Sequence, residues 1–125
     1  MYRVSVSTEF VAQHFLTVPD PGPEGEVHSH HYGLDVACEG PELNEYGYLL
    51  DIDDLTRAVD GIEERYRDEL LNDREEFAGL NPSVEHFARI VADRLAGDLS
   101  MPEVETVQVT LHEDDVAQVS YERAV

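Results

Sequence analysis

Val27-His28-Ser29-His30-His31-Tyr32-Gly33-Leu34-Asp35-Val36-Ala37-Cys38-Glu39 is the stretch that decides how this chain is organised. It reads as a β-strand. Side chains alternate along a strand, so His28 and His30 point to one face, about 7 Å apart. Two imidazoles so placed can both reach one metal ion. A third ligand has to come from elsewhere, and His14 is the natural candidate. A His-x-His pattern alone is a weak signal, because surface strands produce it by chance.

Before this strand, Tyr2 to Phe10 alternates: Tyr2, Val4, Val6, Thr8 and Phe10 on one side, Arg3, Ser5, Ser7 and Glu9 on the other. That is a half-buried strand, continued or ended by Val11 to Leu16. Residues 18–26 hold three Pro and two Gly and form a loop. After it, Gly40-Pro41 breaks the second strand. Leu55, Val59, Ile62, Tyr66 and Leu70 recur at helical spacing, and Asp51, Asp53 and Asp54 crowd the helix start, where the dipole favours negative charge. The spacing predicts a helix from about Asp53 to Leu70.

A second helix is expected with Ser83 as N-cap, Val84, Phe87, Ala88, Val91 and Leu95 on its apolar face, and Gly97 at its end. Val104 to His112 and Val116 to Glu122 read as a hairpin joined at Glu113-Asp114-Asp115. The order β-β-α-α-β-β predicts one α+β domain over residues 1–125: a four-stranded antiparallel sheet with two helices on one face. The other face is expected to carry Tyr, Val, Phe and the histidines. It would then need cover, and the sheet's open edges would need partners. Closed oligomerisation would meet both needs.

The composition bounds the function. The chain has 125 residues, 28 acidic against 8 basic, for a net charge of −20. Every basic residue is Arg. Such a surface repels nucleic acid and anionic membranes, so neither is expected as a partner. The acids either form a surface for a basic partner or adapt the chain to high salt. Their spread along the whole chain favours the halophilic reading, which implies stability that rises with salt. No apolar run approaches 18 residues, and a single cysteine, Cys38, excludes an internal disulfide. Without a signal peptide ahead of the first strand, the expectation is a cytoplasmic protein.

Several short motifs occur in order: Phe10-x-Ala12-x-His14, His28-Ser29-His30-x-Tyr32, Gly47-x-x-x-Asp51, Leu71-Asn72-Asp73, Asn81-Pro82-Ser83-x-Glu85, Val109-x-Leu111-x-Glu113 and Tyr121. Together they resemble the 6-pyruvoyl-tetrahydropterin synthase and 6-carboxytetrahydropterin synthase family over essentially the whole chain. The resemblance implies the tunnelling fold, in which subunit sheets join into a barrel, as a homotrimer or homohexamer with active sites between subunits. It implies Zn²⁺ on His14, His28 and His30, and a pterin small-molecule substrate anchored by Glu113. A carboxylate suits the guanidine-like edge of a pterin. The zinc would act on the substrate's side-chain hydroxyls as a Lewis acid.

The departures from the family pattern bear on activity. The family's usual His-Gly-His is His28-Ser29-His30, which keeps a small residue. The family's general-base Cys, four residues before the first histidine of that pair, is replaced by Glu24. The family's Asp-His pair ahead of Leu-Asn falls on Arg67 and Asp68. Glu24 can still act as a base, with Glu26 a rival for the role and Asp68 a second catalytic candidate. Arg67 either binds a substrate phosphate or pairs with Asp68. Family members with Glu at the Cys position are associated with cleaving the dihydroneopterin side chain to 6-hydroxymethyl-dihydropterin.

The blander readings stand beside these. His31 and His112 read as solvated, His86 as structural, Cys38 as a small core residue, and Asp68 with Glu69 as a solvated helix end. Glu24 reads equally as an ordinary loop acid, and Glu113 also as a turn acid. Three functions follow: a zinc-dependent pterin lyase, a pterin- and metal-binding homologue without catalysis, or a non-pterin metal protein on the same scaffold.

Overall fold

The computed structural model covers residues 1–125. Strand β1 (Tyr2–His14) and strand β2 (His28–Gly40) precede helix α1 (Ile52–Tyr66) and helix α2 (Val84–Asp98); strands β3 (Thr106–Glu113) and β4 (Ala117–Ala124) close the chain. The sheet runs β1-β2-β3-β4, each neighbour antiparallel. This is the expected four-stranded sheet with two helices. No helix is long and apolar enough to cross a membrane.

The helices begin as their capping residues require. Asp51 accepts from the Asp53 N–H at 2.8 Å, and Ser83 Oγ accepts from the His86 N–H at 3.1 Å. Their ends differ from expectation. Helix α1 stops at Tyr66 instead of Leu70. The reason is an unfilled strand edge: Asp68 N–H donates to Val11 O at 2.7 Å, and Gln13 N–H donates to Glu69 O at 2.9 Å. The chain leaves the helix through Asp68, at φ +60°, and lies along the outer edge of β1. Helix α2 runs one residue past Gly97 to Asp98.

The faces of the sheet are also corrected. The core lies between the sheet and the helices, where Leu55, Val59, Ile62 and Tyr66 of α1 meet Phe87, Val91 and Leu95 of α2. The three histidines do not lie on the uncovered face. They continue the helix-covered face, beyond Phe10, Ala12 and Tyr32, because they share those residues' parity along β1 and β2. The opposite face is polar. Ser7 donates to Asp35 at 2.6 Å, His112 bonds the other Asp35 oxygen at 2.8 Å, and Arg3 bridges Glu39 and Gln108, each at 3.1 Å. So His112 is engaged with Asp35 instead of merely solvated.

Two details set the position of the site. Phe87 packs edge-on against Tyr32, Tyr66 and Phe77 at centroid distances of 5.3, 5.0 and 5.7 Å, making a stiff aromatic floor. The hairpin turn occupies residues 114–116, so Glu113 is the last residue of β3 and not part of the turn. It pairs with Tyr32, which places it on the histidines' face.

Candidate functional site

His14 ends β1 and His28 opens β2, directly opposite it in the antiparallel register. His30 lies two residues further along β2. The three rings stand edge-on to one another at centroid distances of 4.6, 4.9 and 4.8 Å. One ligand nitrogen from each lies within 4.8 Å of the others.

The hydrogen bonds fix which nitrogen is free. His14 Nδ1 donates to the Pro82 carbonyl at 3.0 Å, and His28 Nδ1 donates to the Glu26 carbonyl at 2.8 Å. A carbonyl only accepts, so Nδ1 carries the proton and Nε2 of a neutral ring presents a lone pair. His30 Nδ1 is likewise paired with the Asp114 carboxylate. The Nε2 atoms of His14 and His28 then face each other at 3.0 Å. Two lone pairs at that distance repel unless a cation lies between or beside them. Burial pushes the His14 pKa down; the Pro82 carbonyl opposes this, and His28 and His30 add to it. A proton or a metal ion on one of the two Nε2 atoms would remove that repulsion, and the three rings together could hold a metal ion. Three imidazoles with an open side fit zinc in a reactive, not purely structural, site.

A cavity of about 190 Å³ opens on this cluster. His14, His30, Glu24 and Glu113 line it, walled by Leu16, Val84, Asn81 and Ser83. Burial pushes the Glu113 carboxyl pKa up; His30 opposes this, and Asp114 and Glu24 reinforce it. Glu24 sits in the short 3₁₀ turn Gly22–Gly25, whose carbonyl at Glu24 accepts from Leu16 N–H at 2.9 Å. Glu26 enters differently, through its backbone carbonyl on His28, and its side chain does not line the cavity. A larger cleft of about 540 Å³, beside Tyr46, Tyr48 and Asp51, contains no histidine and no partner for these groups.

Arg67 and Asp68 do not reach the cavity of their own chain. Arg67 pairs with Glu63 at 2.8 Å instead of with Asp68. Asp68 is exposed on the strip of chain along the outer edge of β1. Cys38 is fully buried, its thiol pushed up to about 11 by that burial, and it plays the core role expected of it. His86 bonds the Asn81 carbonyl at 2.8 Å, a structural role.

The motif asparagines prove to be clamps. The Asn72 side chain accepts from Phe15 N–H and donates to Phe15 O, both at 3.0 Å, and Asn81 Oδ1 accepts from Thr17 N–H at 2.8 Å. Together they fix the backbone just after His14. Asp114 is the site residue that sequence reasoning missed. The available signal was two consecutive aspartates in a tight turn next to Glu113.

The chain matches the family model described as 6-pyruvoyl tetrahydropterin synthase over residues 3–124. It is 29% identical, over 96% of its length and 84% of the relative's, to the 6-carboxy-5,6,7,8-tetrahydropterin synthase of Bacillus subtilis. Its fold superposes on the Caenorhabditis elegans 6-pyruvoyl tetrahydropterin synthase with a TM-score of 0.83 at 20% identity, covering 98% and 96% of the two chains. A Plasmodium vivax 6-pyruvoyltetrahydropterin synthase gives 0.77 at 16% identity with both chains fully covered; it is described as a variant of a catalytic residue, a glutamate replaced by alanine.

Proposed function

We propose, for a chain that belongs to the 6-pyruvoyl tetrahydropterin synthase family, a zinc-dependent lyase acting on the side chain of 7,8-dihydroneopterin or its triphosphate. The observation that carries this reading is one cavity lined by His14, His30, Glu24 and Glu113, with His28 converging on the same two histidines. Zinc bound by His14, His28 and His30 would polarise the substrate's side-chain hydroxyls. Glu113 binds the pterin, its carboxylate accepting from the ring N–H and the exocyclic amino group. Glu24 takes the proton.

Where the product is 6-hydroxymethyl-dihydropterin, Glu24 removes the proton of the second side-chain hydroxyl. The bond between the first and second side-chain carbons breaks, and its electron pair passes into the conjugated ring. The second carbon leaves as an aldehyde, and the first regains a proton. Glutamate in the base role accords with the glutamate described as catalytic in the P. vivax protein. Subunits associate as a trimer or hexamer, and Arg67 and Asp68, on the outer strip beside β1, then serve a neighbour's cavity instead of their own.

A second reading, a pterin- and metal-binding homologue without catalysis, draws on one observation: Arg67 and Asp68 stand where the family's Asp-His pair is expected, outside the cavity. Incubation of the zinc-loaded protein with dihydroneopterin and its triphosphate in molar salt, with products identified by mass spectrometry, separates the two. Turnover lost in Glu24→Ala supports the lyase. Tight pterin binding with no product supports the second reading. No pterin binding by the zinc-loaded wild type would sink both and favour a metal protein with another substrate.

A further inference from the structure

We infer that Asp114 is a positioning residue for His30, its carboxylate fixing that imidazole's tautomer and direction toward the metal; the inference rests on the metal reading of the three-histidine cluster. Asp114 follows Glu113, the last residue of β3, and its own geometry is unusual. It and Asp115 both have positive φ, +51° and +57°, which L residues other than Gly rarely adopt, Asp and Asn among the exceptions. The Val116 N–H donates to Glu113 O at 3.0 Å, closing the turn.

In this conformation Asp114 turns back onto β2 and is tied to it three times. Its N–H donates to His31 O at 2.8 Å, its Oδ1 accepts from His31 N–H at 2.8 Å, and its Oδ2 accepts from His30 Nδ1. The first two bonds extend the β2–β3 ladder one residue past Tyr32 and Glu113, with a side-chain oxygen standing in for a strand carbonyl. They hold the carboxylate rigidly. The third bond spends its remaining oxygen on the ring that must present Nε2 to the metal.

The three histidines are not held alike. His14 and His28 lean on backbone carbonyls of Pro82 and Glu26, whereas His30 leans on a charged side chain. An ionised partner on Nδ1–H raises the basicity of Nε2 and so strengthens the ligand. His30 is therefore the one ligand whose orientation and donor strength depend on a removable side chain.

The test compares Asp114→Gly, Asp114→Asn and Asp115→Gly with the wild type. Glycine at either position relieves the positive φ, so the Gly variants keep the turn. Zinc affinity is read by competition with a chromophoric chelator, ligand geometry from the visible spectrum of the Co²⁺ form, and folding from melting of the metal-free protein. Asp114→Gly is expected to bind zinc roughly 10- to 100-fold more weakly, with an altered Co²⁺ spectrum. Asp114→Asn, whose single amide oxygen can serve one donor, should recover part of that loss. Asp115→Gly should match wild type. Equal zinc affinity in wild type and Asp114→Gly overturns the inference alone, and so does an equal loss in Asp115→Gly, which would assign the effect to the turn. A wild type that holds no zinc overturns the metal reading and the inference with it.

Discussion

Nε2 of His14 and Nε2 of His28 face each other across 3.0 Å, while Nδ1 of each ring is held by a backbone carbonyl. Turning its N–H inward would cost either ring that bond, and for His14 would leave the buried Pro82 carbonyl unmet. The pair is set for a cation. Chelation should therefore lower the melting temperature and zinc should restore it, the gain reaching about 2.7 kcal/mol at free zinc 100 times its dissociation constant. His14→Ala should melt at the same temperature with and without zinc. Calorimetry of wild type and variant checks this; a chelator-insensitive wild type counts against a metal centre.

Glu24 and Glu113 line one cavity yet should fail differently when neutralised. Glu24→Gln removes a base and is expected to cost roughly 10²- to 10⁴-fold in kcat with zinc binding intact. Glu113→Gln removes an acceptor for charged or polarised N–H groups and is expected to raise KM by roughly 10- to 100-fold. Steady-state kinetics on both variants separates the roles, and a kcat-only loss in Glu113→Gln would reject it as the pterin anchor.

Glu76 joins three elements. It accepts from Arg65 at 2.7 and 2.9 Å, from Tyr66 at 2.6 Å and from Arg94 at 3.3 Å. The Arg65 bonds above all, with the Tyr66 hydroxyl's help and against a burial cost, hold its carboxyl down at about 2. A carboxyl depressed on folding contributes stability above its unfolded value near 4.5, and that contribution fades as pH falls toward 2. Wild type should thus exceed Glu76→Gln in stability at neutral pH, and the gap should close between about pH 4.5 and 2. Urea titrations of both proteins across that range test the sign; a gap that widens on acidification would refute it.

Two glycines should respond oppositely to alanine. A Cβ at Gly40 would lie 2.0 Å from the Glu103 carbonyl oxygen, where backbone must move. Gly40→Ala is expected to destabilise by about 1–3 kcal/mol or more. A Cβ at Gly97, in exposed helix, meets nothing within 4 Å. Gly97→Ala should stabilise by roughly 0.5–1 kcal/mol. Thermal melts of the metal-free proteins would show both signs.

The elements were legible because each rests on local pattern. Alternation placed His28 and His30 on one face, three- and four-residue spacing built α1 and α2, and Ser83 capped α2 as its position predicts. The end of α1 was not legible. Leu70 continues the helical stripe, but the open edge of β1 at Val11 and Gln13 offered backbone bonds that a helix could not use. Whether a face is covered is likewise a property of the packed sheet: parity says His14, His28 and His30 share a side with Phe10 and Tyr32, not that the helices lie there.

The sequence by itself determined the strand and helix order, the His-x-His pair and the ordered motifs, since periodicity and residue chemistry act over a few neighbours. Tertiary structure alone decided which acids meet the histidines. It brought Glu24 and Glu113 to the cavity, left Arg67 and Asp68 on the outer strip beside β1, and tied Asp114 to His30 across 84 positions of chain. Those choices depend on strand register and turn geometry, which set distances between residues far apart in sequence.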